Sequence, residues 1–309
     1  MKKNKLLAYF EFILVYSFYL FLNILPLGVS LKIGRFLGIL FYKLDKKHRN
    51  HTLNNLKIAF PDKTEKELTD ISVNFYKNLG MVFIEIFRLD KYNKDNIDDF
   101  VESNFDYVKN IYGKQGILLL TAHFGNWELL AKTFALKSFR GNVLARPLDN
   151  PYIEKILYKL RSGAGNKVIY NRENAVKSII SALNGNEIVG FLPDENASKR
   201  IGVFVDFFGV KACTMPGMAN IAAKTKLPVV PAFMVRLNEE SINNGGGNYA
   251  KHRLIIEPPL DIKYTGNRKI DTINILRMFN EKIEDIIKQY PEQWFWIHNR
   301  WKTRPDENK

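Results

Sequence analysis

His123-Phe124-Gly125-Asn126-Trp127-Glu128 brings an imidazole, a flexible turn and a carboxylate into one short stretch. An imidazole is the side chain best suited to take a proton from a hydroxyl near neutral pH. Gly125 permits a tight turn, and Asn126 can cap the helix that Trp127-Glu128-Leu129-Leu130-Ala131 begins. Glu128 then falls in the first helical turn. The spacing predicts that it folds back on His123, fixes one tautomer of the ring and stabilises the imidazolium. His123 and Glu128 are therefore the candidate catalytic pair, a general base with no nucleophile of its own beside it. No Gly-x-Ser-x-Gly elbow occurs in the chain, which argues against a serine hydrolase.

Other groups converge on the same place. The apolar run Gly116–Ala122 reads as a buried strand of a parallel sheet, so His123 sits at a strand's C-terminal end, where α/β sheets hold their chemistry. Arg146-Pro147 ends another expected strand, and Arg161 closes the helix after it. Pro193-Asp194-Glu195-Asn196 follows the run Ile188–Leu192 and puts a carboxylate on the same edge. Phe207-Phe208-Gly209-Val210 and Thr214-Met215-Pro216-Gly217 precede a helix. His48 and His51 share a helical face with no carboxylate cluster near them, and read as a solvated or membrane-surface face, not a metal site.

The elements that must position these groups alternate from Gly116 onward. Expected strands are 117–122, 142–145, 167–170, 188–192, 229–235 and 253–256. Expected helices are 127–138, 151–162, 173–184, 216–224 and 271–290. Such alternation predicts an α/β fold with a largely parallel central sheet flanked by helices. Upstream, a helix from His48 to Ala59 precedes a second, opened by the capping-box pattern Thr64-Glu65-Lys66-Glu67 and running to about Leu89. The Asn- and Gly-rich stretch 243–248 reads as a flexible loop, and no Lys-Ser/Thr follows it to make a phosphate cradle.

The 309 residues have globular composition and a formal net charge of +14. Half of that excess lies in the first 50 residues, where basic side chains flank long apolar runs. The pattern points to an anionic membrane surface in preference to nucleic acid. Leu6 to Leu27 is interrupted only by Glu11 and is long enough to span a bilayer. Ile33 to Leu44 is too short to span and reads as an interfacial or packed helix, with the pair Gly34-x-x-x-Gly38. Residues 1–44 are thus expected to form a hydrophobic anchor with an interfacial helix, and 45–309 the α/β domain. The single cysteine, Cys213, excludes an internal disulfide and a cysteine zinc cluster.

With these residues in hand, the chain resembles the lipid A biosynthesis (lauroyl/myristoyl) acyltransferase family, within the broader His-x4-Asp/Glu acyltransferases. The resemblance rests on His123 to Glu128, Arg146-Pro147 through Arg161, Pro193-Asp194, and Phe207–Val210 followed by Thr214 and Gly217. Its most specific part is Trp296-Ile297-His298-Asn299-Arg300-Trp301-Lys302-Thr303-Arg304-Pro305. It implies transfer of a fatty acyl chain from acyl carrier protein to a hydroxyl of a lipid A precursor, with no cofactor or metal, at the cytoplasmic face of a bacterial inner membrane. In that reaction His123 is the base and Glu128 its partner. Backbone N–H groups near Gly125 and Asn126 face the oxyanion. Arg146 and Arg161 offer forked donors to phosphate, and Asp194 positions an arginine or a sugar hydroxyl. The competing expectations are a CoA-dependent transferase acting on a phospholipid or other glycolipid, and a membrane-peripheral lipid-binding protein without catalysis.

Overall fold

The computed structural model describes residues 5–170, 174–237 and 252–305. The expected loop at 243–248 and the expected helix start at 173 lie outside the described residues. Four helices lead: α1 (Lys5–Ile24), α2 (Leu27–Leu44), α3 (Lys46–Ala59) and α4 (Glu65–Ile86). Thr64 caps α4 with both halves of the capping box in place. Then come β1 (Val101–Ser103), α5 (Asp106–Ile111), β2 (Ile117–Leu120), α6 (Trp127–Leu136), β3 (Gly141–Ala145), α7 (Pro151–Ser162), β4 (Lys167–Tyr170), α8 (Ala175–Asn184) and β5 (Ile188–Phe191). The hairpin β6 (Val203–Phe207) and β7 (Val210–Thr214) follows, then α9 (Gly217–Thr225), β8 (Val229–Arg236), β9 (His252–Ile256) and α10 (Arg268–Gln289).

The central sheet has the order β1-β9-β8-β2-β5-β3-β4. From β4 to β8 the pairing is parallel; β9 runs antiparallel to β8, and β1 is parallel to β9. Both faces of the sheet are covered, which is why β2 is buried at every position. Leu118 and Leu120 point into one core cluster with Val189, Phe233 and α10, while Ile117 and Leu119 point into the other with Leu129, Leu130 and Met234. That is the two-residue period of a strand read on both sides at once.

Two features went unforeseen. The stretch around Phe207-Phe208-Gly209 is the turn of the β6–β7 hairpin, with positive φ at Phe208 (50°) and Gly209 (72°). Two positive φ values define the tight turn that matches strand twist, usually signalled by Asn-Gly, so Phe-Gly hides it. The other is how closely α2 packs on α4. Ser30, Gly34 and Gly38 line its buried face. A Cβ on Gly38 would come within 2.0 Å of the Tyr76 carbonyl oxygen, and one on Gly34 within 2.7 Å of that of Gly80. The glycine spacing thus serves close backbone approach between two helices of the body.

Candidate active site

The register of the sheet builds the site. β2 and β5 are neighbours, with Leu120 opposite Phe191. His123 and Asp194 each lie three residues beyond that pair, so the strand ends deliver them side by side. Asp194 Oδ1 lies 2.9 Å from His123 Nδ1, and Oδ2 accepts the His123 backbone N–H at 2.9 Å. The indole N–H of Trp294 also donates to Oδ2, at 2.8 Å. Asp194 is buried, whereas the imidazole keeps 23% of its side-chain surface open, beside Trp127 and Phe295. Its Nδ1 is engaged, which leaves Nε2 as the nitrogen for a reactant.

Electrostatics follow from that contact. Burial alone would strip the proton from His123, but the Asp194 carboxylate outweighs it, with Glu195 and Glu128 adding negative potential, and the imidazole is held above its ordinary value. Burial would likewise favour a neutral Asp194. The imidazole charge, the Trp294 indole and the His123 N–H together hold its carboxyl below the usual carboxylate range. The geometry is that of a base with a carboxylate orienting its far nitrogen.

Glu128 is engaged elsewhere, which corrects the pairing expected from spacing. Its carboxylate is gripped by the Arg161 guanidinium, Nε lying 3.0 Å from each oxygen and Nη2 in close contact with Oε1. Both side chains are largely buried, 5% and 15% exposed. The partner is supplied by the fold: α7 packs beside α6 and brings Arg161 to the Glu128 carboxylate. The same pair alters the expected role of Arg161, since its fork binds a carboxylate of the protein itself. Arg146 sits at the rim after β3, exposed, with no partner among the described residues.

Gly125 and Asn126 are also committed to the fold. Gly125 adopts φ +54°, and a Cβ there would lie 1.7 Å from the Met234 carbonyl oxygen. Its N–H donates to the Gln293 carbonyl at 2.8 Å, so the expected oxyanion contact from this group is not available. Asn126 caps α6 by accepting from the Leu129 N–H, as its position predicts. Its amide donates to Glu85 Oε2 at 2.8 Å.

Residues that spacing did not single out support the turn from behind. Glu85 on α4 is fully buried and bound by Arg236 through two hydrogen bonds, at 2.9 and 2.6 Å. Arg236 also donates to Asn78, and His252 lies 3.4 Å from Glu85. From the other side comes the C-terminal segment. The Phe295 N–H donates to the His123 carbonyl, and Phe124 and Trp294 form a bridge. His298 Nε2 accepts the Asn196 N–H at 2.7 Å, and Asn196 and Thr303 exchange bonds. The buried Arg300 donates to the carbonyl oxygens of Cys213 and Glu195 and to Thr214 Oγ1. The terminal motif thus holds the loop carrying Asp194. Cysteine, histidine and carboxylate groups form no cluster able to hold a metal ion among the described residues.

Comparison with known proteins gives the family likeness. Residues 1–303 match the family described as bacterial lipid A biosynthesis acyltransferase. The lipid A biosynthesis lauroyltransferase of Escherichia coli is 30% identical over 289 residues, covering 91% of this chain and 88% of that protein. A lipid A biosynthesis acyltransferase of Haemophilus influenzae is 27% identical, covering 94% and 86%. The palmitoleoyltransferase of Escherichia coli is 25% identical, covering 91% and 87%.

Proposed function

The chain belongs to the bacterial lipid A biosynthesis acyltransferase family, and we propose that it transfers a fatty acyl chain from acyl carrier protein to a hydroxyl of a lipid A precursor, with His123 as general base. That the protein is an acyltransferase follows from the family; the donor, the acceptor hydroxyl and the residue roles are the proposal. The observation that carries it is the His123–Asp194 contact at the C-terminal edge of the sheet. His123 Nε2 takes the proton of the acceptor hydroxyl as its oxygen attacks the thioester carbonyl. Asp194 stabilises the imidazolium that forms, and the proton returns to the departing thiolate. The positive end of α6 opens beside the base and suits the developing oxyanion. Buried and paired with Arg161, Glu128 fixes α6 against α7 and adds to the negative potential at His123. Arg146, exposed at the same rim, is placed for an anionic group of donor or acceptor. The apolar α1 and the basic N-terminal region keep the enzyme at the inner membrane, where its acceptor resides.

The test is transfer itself. Purified protein is given a lipid A precursor and either an acyl carrier thioester or the matching CoA thioester, and products are read by mass. One added acyl chain, faster from the carrier, is the expected result, and His123→Ala lowers the rate about 10²–10⁴-fold. Faster transfer from CoA, or onto phospholipid alone, would favour the CoA-dependent reading.

A further inference from the structure

We infer that the N-terminal helix lies in the plane of one membrane leaflet, docked lengthwise on the catalytic body, and does not cross the bilayer. The inference rests on the membrane association proposed above and goes beyond it to the mode of attachment. By length and composition α1 passes as a membrane span. Its contacts speak otherwise.

Near its start, the Asn150 amide donates to the Ala8 carbonyl at 2.8 Å and to Glu11 Oε2 at 3.0 Å. Tyr9 and Phe12 pack on Tyr152 of α7. Near its end, the Tyr19 hydroxyl donates to Asp90 at 2.7 Å, and the Asn23 amide to the Phe87 carbonyl at 2.9 Å. Arg88 donates to the carbonyls of Leu22 and Leu25. Ala8 and Leu22 are about 21 Å apart along a helix axis at 1.5 Å per residue. The body is therefore fastened to α1 over most of the roughly 30 Å depth of a bilayer's hydrocarbon.

A perpendicular α1 would carry these fastenings with it. Asp149 and Lys155, exposed near one end, and Asp90, Lys91 and Lys94, exposed near the other, belong to one rigidly packed body. Either one set of charges would sit in hydrocarbon or the body would itself have to span the membrane, and both are strongly unfavourable. Lying flat removes the conflict. Ala8 and Leu22 are buried on the body side, while Leu6, Phe10, Ile13, Leu14, Phe21 and Ile24 form the opposite stripe and are 44–82% exposed. That is the two-faced pattern of a helix between protein and lipid. α2 adds Phe36, Leu40 and Leu44, exposed opposite its glycine face. The exposed Lys32, Lys43, Lys46 and Lys47 supply the charge that anionic headgroups attract.

Topology decides it. Cysteines are placed at Lys5→Cys or Lys66→Cys in the full chain, whose single native Cys213 is buried. Vesicles of known sidedness are then treated with a membrane-impermeant maleimide. An in-plane helix predicts that both positions label from the cytoplasmic face; labelling of Lys5→Cys from the opposite face alone would overturn the inference. Spin labels at Leu6, Ile13 and Leu20 give a second reading, with similar shallow depths expected and a maximum at Ile13 contradicting it. Flotation with anionic vesicles separates the two levels. Protein that fails to float refutes membrane association itself, whereas floating protein with Lys5→Cys on the far side refutes only the in-plane docking.

Discussion

At the scale of the residue, the chemistry depends on which carboxylate faces the imidazole. His123, Glu128, Arg161 and Asp194 were all legible in the sequence as groups at strand ends and helix starts. Their pairing was not, because β2 and β5 are neighbours in space with β3, α7 and β4 between them in the chain. Spacing therefore favoured the local Glu128, and the sheet register chose Asp194. The sign of the pH dependence follows. In the proposed reaction His123 takes a proton only when neutral, and its value is raised, so kcat should climb as pH rises through that raised value. In Asp194→Asn the opposing charge is gone and burial dominates, so the acidic limb moves to lower pH while kcat falls about 10²–10⁴-fold. A pH–rate profile of both proteins checks this, and an unmoved limb contradicts it. Glu128→Ala acts differently. It leaves Arg161 buried without its partner, and chemical denaturation should show a loss of about 3–5 kcal/mol.

At the scale of the element, long periodic segments were readable and close approaches were not. The bounds of β4 and α7 agree with their hydrophobic pattern, since each is a regular segment with clear ends. Nothing local announces that Gln293, Trp294 and Phe295 pack against the His123 turn, because that contact joins residues far apart in sequence. It gives two tests. Gly125→Ala combines a positive φ with a Cβ 1.7 Å from the Met234 carbonyl, so the turn must shift and soluble, folded yield should drop sharply. Trp294→Phe keeps an aromatic side chain, though a smaller one, and removes the indole donor to Asp194. With its charge less shared, Asp194 holds the His123 proton more tightly, and the acidic limb should move to higher pH, the opposite of Asp194→Asn. Stability should fall by about 1.5–3 kcal/mol in thermal unfolding, the range for a hydrogen bond to a charged group.

At the scale of the whole molecule, a strongly basic enzyme carries an apolar flank and opens the His123 imidazole at one sheet edge. The composition pointed to a membrane surface and anionic partners; it did not disclose that the first helix packs on the body. Removing residues 1–24 takes away Leu22, buried among its neighbours, and the Leu22 carbonyl that Arg88 engages. The truncated protein should therefore unfold at lower temperature as well as leave the membrane, by about 1–3 kcal/mol in stability; an unchanged unfolding temperature would show that α1 is only a tether. The proposed reaction turns on one contact, that of His123 with Asp194. The most direct measurement is the rate of acyl addition to a lipid A precursor in bilayers, read by mass, for His123→Ala, Asp194→Asn and the double variant. Residues that act as a unit predict a double variant scarcely slower than His123→Ala; losses that multiply in full would show that Asp194 does not act through His123.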